Sequence, residues 1–384
     1  MADLALNQIE VGERLRIART SASLTQEEAA SKLAMARTTM VAIERGERSV
    51  RPEELYALAE LYGTTVNTLL RGPSVHVDLV GQFRWGRGAK DEKLAKDAVA
   101  VLHRLATAYV ELETRLDRPL VRNYPPERPL ARRGLQQQAE DLAVEVRSRV
   151  GVGLGPIPDV VAFLELEVGV RVFVHPLDSK IAGVFAYHDQ IGACILVNAK
   201  HPASRRAWTL AHEFAHLLTR RRVTSVLALD DRGPKSPFEQ FADYFAPAFL
   251  MPGVAVRRAF AELGGGEGRF TTRHLILLHH RFRVSLEAMT RRLEDLGLLK
   301  AGTFESLRER GLDADTVRSV LGVSTDDEAP ASPPPRFALL AADAYHRDML
   351  TEGQVAEMLM LRRVDVRRLL DALGDDADLT EERT

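Results

Sequence analysis

The stretch TLAHEFAHLLTRRR, residues 209–222, places His212 and His216 four positions apart within a segment of helical apolar spacing. On a helix that spacing sends both imidazoles off one face, where they can share a cation, with Glu213 beside them to take a proton from water. A chain built this way needs a second element to complete the site. The helical pattern SPFEQFADYFAPAFLMP, from Ser236, sets Glu239 and Asp243 four apart. Glu239 could be a third ligand and Asp243 could orient a ligand histidine. Three protein ligands leave zinc one position for water, as a hydrolase requires. Satisfied packing histidines are the bland alternative, and two complementary helical pairs are harder to reach by accident than one.

The chain has 384 residues and 45% hydrophobic content, enough for two or three cores. Its single cysteine excludes an internal disulfide, and no apolar run approaches the roughly 20 residues that cross a bilayer. The start MADLALNQIEVGERL lacks a signal peptide's basic end and apolar centre, so cytoplasmic residence and no membrane partner are expected. The net charge of −2 gives no overall basic bias. Locally, Lys200, Arg205, Arg206 and Arg220 to Arg222 stand against Glu213 alone, whereas residues 301–384 are strongly acidic and read as a solvated face or spacer.

Five short helical patterns fill residues 8–72, with Thr25 and Glu28 spaced as a capping box. Residues 73–150 read as a linker and helical connector: a glycine-rich stretch from Gly72, a helix over 89–117, a proline break and a helix over 131–150. Then VRVFVHPL, IAGVFAYH and GACILVN read as strands, ahead of the two site helices, a GGGEG loop and helices over 270–299, completing a unit over 151–300. Residues 301–384 read as a helical region interrupted by a proline-rich linker over 324–336. The expected fold class is mainly α with a small β-sheet (α+β), with no internal repeat.

TLAHEFAHLL followed by EQFADYFAPAFLMP resembles the ImmA/IrrE-type metallopeptidases, whose pattern is a HExxH helix, then Glu-x-x-Ala-Asn, then an LMP ending. The resemblance covers roughly 150–300. It implies a zincin-like domain with Zn2+ held by His212, His216 and Glu239, Glu213 as general base, and a repressor as substrate. Asp243 departs from the family's usual Asn, leaving its part in orienting a ligand open. Tyr187, His188, His201 and Tyr244 are candidates for stabilising an oxyanion. Cys194, on the strand before the zinc helix, could fill the open zinc position as an inhibitory thiolate, against the bland reading of a buried strand residue. His274, His279 and His280 lack ligand spacing and read as helix-surface residues.

LTQEEAASKLAMARTTMVAIERGERSVRP resembles the XRE-family helix-turn-helix, over residues 10–70. That resemblance puts Arg37, Thr38, Thr39 and Ala42 of the third helix toward the major groove and Gln26 and Arg48 at phosphates. Against DNA, residues 1–72 carry nine bases and ten acids, which leaves dimerisation or repressor docking open, with a homodimer possible. GQVAEMLMLRRVDVRRLLDAL has a faint helix-turn-helix look and is read as packing on the peptidase domain.

The leading expectation is a zinc endopeptidase acting as a stress- or phage-responsive transcriptional switch by cutting a helix-turn-helix repressor, with single-stranded DNA a candidate activator at the Arg205–Arg222 basic ring. The rival is a DNA-binding regulator whose peptidase-like domain senses a ligand. A repressor with a structural zinc site would need a fourth protein ligand, which Cys194 alone could supply.

Overall fold

The computed structural model describes residues 8–22, 24–70, 79, 89–131, 133–229, 235–264, 270–311 and 333–374. The glycine-rich stretch after Gly72, the body of the GGGEG loop and residues 324–332 of the proline-rich linker lie outside them. The chain divides into two compact units, Met1–His76 and Val77–Thr384.

The first unit holds α1 (Gln8–Ser21), α2 (Gln26–Lys32), α3 (Arg37–Glu44), α4 (Pro52–Leu61) and α5 (Val66–Leu70). Thr25 caps α2 in the reciprocal box with Glu28 that the sequence spacing implies. Leu15, Ala29, Met40, Ile43 and Leu58 form a closed core. Gly12 lets α1 approach α3, since a Cβ there would lie 2.5 Å from the Ile43 carbonyl oxygen.

In the second unit the long α6 (Ala89–Leu116) and α7 (Leu135–Arg149) precede α8 (Val160–Ala162), which runs on as a π-helical stretch, Phe163–Val168. Four strands follow in sheet order β1-β3-β2-β4: β1 (Arg171–His175), β2 (Ile181–His188), β3 (Gly192–Asn198) and β4 (Ser225–Ala228). β1 pairs parallel with β3, and β2 pairs antiparallel with both β3 and β4. Sequence reading supplies the first three strands and misses β4, which is four residues long and mostly half-buried, too short to show alternation. α9 (Ala203–Thr219) lies on the sheet and against α10 (Pro237–Leu250), and α10 also packs on α7. The connector helices thus build this unit's core instead of merely linking domains. α11 (Gly253–Gly264), α12 (Thr272–Phe282), α13 (Leu286–Asp295) and α14 (Thr303–Glu309) follow.

The C-terminal helices α15 (Pro335–His346), α16 (Glu352–Leu359) and α17 (Arg363–Leu373) pack on one another, and α15 and α16 also dock on α6. Residues 335 and 336 are therefore helix and not linker: Pro335 sits at the first helical position, where its missing N–H costs nothing. Arg336 reaches into a buried acidic nest, donating to Glu113 at 2.8 Å and to the Tyr109 hydroxyl at 3.0 Å. Arg171 of β1 pairs with the other Glu113 oxygen at 2.5 Å.

Candidate metal centre

His212, Glu213 and His216 lie on the buried face of α9, at 1%, 0% and 1% exposure. α10, capped by the Ser236 hydroxyl on the Glu239 N–H, carries Glu239 and Asp243 toward them. One Glu239 oxygen lies 3.2 Å from His212 Nε2 and the other 3.6 Å from His216 Nε2. Among the described residues, these three are the group whose ligand atoms all fall within 4.8 Å of one another. His212 Nδ1 faces Asp243 Oδ1 at 3.4 Å, near enough for charge attraction but without hydrogen-bond alignment. Lys235 Nζ holds the other Asp243 oxygen at 2.5 Å.

Two residues that sequence reasoning missed complete the surroundings. Ser225 of β4 donates its hydroxyl to Glu213 Oε2 at 2.9 Å, while Glu213 Oε1 is buried without a hydrogen-bond partner. Arg220, at the end of α9, donates to Glu239 Oε1 at 2.6 Å. A lone serine in an unrecognised strand gives no sequence signal, and Arg220 reads simply as one of three basic residues. Gly183 on β2 lets the sheet approach α9, because a Cβ there would lie 2.5 Å from Thr209 Cγ2 and 3.4 Å from Glu213 Oε1.

The charges follow from this geometry. Burial pushes the Glu213 carboxyl up to about 7, against the pull of His212. Burial also draws His216 down to about 4. Burial acts the same way on His212, but its interactions with Asp243 and Glu239 win and raise it to about 9. Glu239 is raised by burial and lowered further by His212 and His216, ending well below the usual carboxylate range.

The family model described as the IrrE N-terminal-like domain matches residues 166–294, and one described as a helix-turn-helix domain matches residues 10–71. Residues 10–71 thus match a helix-turn-helix domain and residues 166–294, further along the chain, an IrrE-type peptidase domain. No curated protein matches it. Among solved structures, ComR from Streptococcus suis aligns at 11% identity over 96% of this chain and 94% of its own, with a TM-score of 0.16, too loose to bear on the fold.

The ImmA/IrrE-type domain does not bring Cys194 to the metal group. Phe185, whose ring centroid is 6.5 Å from that of His216, pairs across the sheet with Ile195, so Cys194, the adjacent residue of β3, faces the opposite side. There it is fully buried, and burial pushes its thiol up to about 12, with Arg171 and Glu113 as charged neighbours. That corrects the inhibitory-ligand expectation: the side-chain period of a strand is two, and the sequence alone does not say which face meets α9.

Other candidates have local partners. The Tyr187 hydroxyl donates to Asp189 at 3.0 Å, His188 Nδ1 accepts from the Gln190 N–H, His201 is half-buried, and Tyr244 is exposed. His274 is no plain surface residue, since its Nδ1 accepts the Thr271 N–H at the start of α12, and half-buried His279 donates from Nδ1 to the Val284 carbonyl. His280 is exposed. The basic ring is largely committed within the domain: Arg205 lies over Trp208, Arg206 bonds the His201 carbonyl, Arg221 the Pro125 carbonyl and Arg222 Asp189. Single-stranded DNA would have to compete for them.

In the helix-turn-helix domain Arg37 and Thr38 are exposed, and Thr39 and Ala42 half-buried, along α3. Gln26 donates its amide to Glu44 at 2.7 Å, and Arg48 holds Glu54 through both terminal nitrogens at 2.8 and 3.1 Å. Both of these expected phosphate contacts are thus engaged inside the domain. Among the described residues no helix is long and apolar enough to cross a membrane.

Proposed function

We propose that this chain is a zinc-dependent endopeptidase that acts as a transcriptional switch, cutting a helix-turn-helix repressor in response to stress or phage infection. One observation carries the peptidase part of this reading: two imidazole nitrogens and a carboxylate converge beside a buried carboxylate, Glu213, that has one oxygen tethered and one free. The donor set fits zinc, which would be held by His212 Nε2, His216 Nε2 and the Glu239 carboxylate. When bound, zinc supplies a Lewis acid that polarises a carbonyl and makes water more acidic.

The protein's own groups do the rest. Ser225 fixes Glu213 Oε2, so Oε1 is the atom that accepts a proton from water and delivers it to the leaving amine. Burial raises the Glu213 carboxyl from its ordinary range, in the direction that suits taking and giving a proton. Asp243 steadies the His212 ring through Nδ1, and Arg220 holds Glu239 in line. The N-terminal domain would place the peptidase at DNA, with Arg37 and Thr38 toward the groove.

The test is cleavage of helix-turn-helix repressors, beginning with any encoded in an adjacent reading frame, by zinc-loaded wild type and Glu213→Gln, with and without single-stranded DNA. Cutting by wild type alone supports the reading. Zinc bound by both proteins with neither cutting refutes it and leaves a regulator whose peptidase-like domain is a sensor.

A further inference from the structure

The C-terminal helices repeat the N-terminal helix-turn-helix position by position, 326 residues on. Thr25 and Thr351 each cap the middle helix of a trio, their N–H groups donating at 2.8 Å to Glu28 and Gln354. The middle helices end in the same turn. Ala34 and Met360 take φ of +51° and +53°. Met35 and Leu361 each donate at 3.0 Å to the carbonyl five residues back, on Ala30 and Ala356. Ala36 and Arg362 then cap the last helix at φ −69°, with ψ of 143° and 146°. Core positions correspond as well: Leu15, Ala29 and Met40 match Ala341, Val355 and Val366, all at 0% exposure. Few residues are identical, so the sequence reads as free of internal repeats.

We propose that residues 335–373 are a second DNA-reading module, with α17 entering the major groove of duplex DNA. The positions matching Arg37, Thr38, Val41 and Ala42 are Arg363, Val364, Arg367 and Arg368, and all four are exposed. α17 packs on α15 and α16 with Val366 and Leu370 buried, and its opposite face presents the arginines. That charge is complementary to phosphate, and Arg suits guanine edges as well. Arg367 pairs with Glu352 at 2.9 Å and Arg368 with Asp365 at 4.0 Å, while the arginines stay 65% and 78% exposed. Arg367 holds Glu352 through Nε and a terminal nitrogen at 2.9–3.1 Å, so phosphate must displace that carboxylate, whereas the exposed 4.0 Å pair of Arg368 is weak.

The turn alone would not suffice. It recurs before α13, where Arg283 has φ +53° and Ser285 is the cap, but of the four matching outward positions there Leu286 and Thr290 are buried, and the exposed Glu287 and Arg291 pair with each other at 2.8 Å. α17 combines the turn with an outer face on which three arginines are exposed.

The test uses the full chain and a fluorescein-labelled duplex of mixed sequence, read by anisotropy across a salt series. An Arg37→Glu, Thr38→Glu background disables the N-terminal reader without touching α17 and should still bind. Adding Arg363→Ala, Arg367→Ala and Arg368→Ala should weaken that binding at least about tenfold and flatten the log–log salt slope by about 2 to 3, one unit per lost phosphate contact. Lysine at the same three positions should keep the slope, which separates lost charge from lost fold. No binding by the background protein, or an unchanged affinity and slope in the alanine variant, overturns the proposal, including in favour of a protein-binding role for this face. Peptidase activity is not needed for either result.

Discussion

Glu213→Gln tests the burial of the general base separately from catalysis. In the metal-free protein the wild-type carboxyl is fully buried and lifted from 4.5 to about 7. A group whose folded value is raised stabilises the fold below its unfolded value and loses that contribution as pH rises through its folded value. Stability from Glu213 should therefore be largely present at pH 5 and gone by pH 8. At about 1.4 kcal/mol per unit, the loss over that interval is on the order of 2 to 3 kcal/mol. Glutamine does not titrate and can keep the Ser225 hydrogen bond, so the variant should lack this slope. The assay is urea unfolding in chelator at pH 5 and pH 8, followed by fluorescence, with Trp208 beside His212 as the local reporter. The wild type should lose on the order of 2 to 3 kcal/mol more than the variant between the two conditions. Equal pH dependence in the two proteins would mean that Glu213 is not held as a buried, raised carboxyl, and the acid–base argument would go with it.

Ser225→Ala removes the hydrogen bond that lowers Glu213, so its carboxyl should titrate higher and the acidic limb of the cleavage profile should move to higher pH; an unmoved limb would show that Ser225 does not tune the base. Asp243→Ala frees the His212 ring and should weaken zinc about 10- to 100-fold, measured by competition with a chromophoric chelator; unchanged affinity would leave Asp243 without an orienting role. Cys194→Ala should leave zinc stoichiometry and basal cleavage unchanged, and a jump in activity would instead restore the inhibitory thiolate.

Local pattern determined much of this protein. Four-residue spacing fixes a shared face on a helix wherever that helix sits, so His212 with His216, and Glu239 with Asp243, were legible as pairs. The Thr25 capping box and the three longer strands were legible because their signals span only a few residues. The tertiary structure decided what depends on contacts distant in sequence. The facing of β3 sends Cys194 away from the metal group, because pleating alternates and only packing chooses the buried face. Ser225 becomes the tether of Glu213 because a four-residue strand pairs with β2. The faint helix-turn-helix look of GQVAEMLMLRRVDVRRLLDAL became a position-by-position match only in backbone geometry, since the turn needs one left-handed residue and a cap, and Ala34 and Met360 meet that need with different side chains.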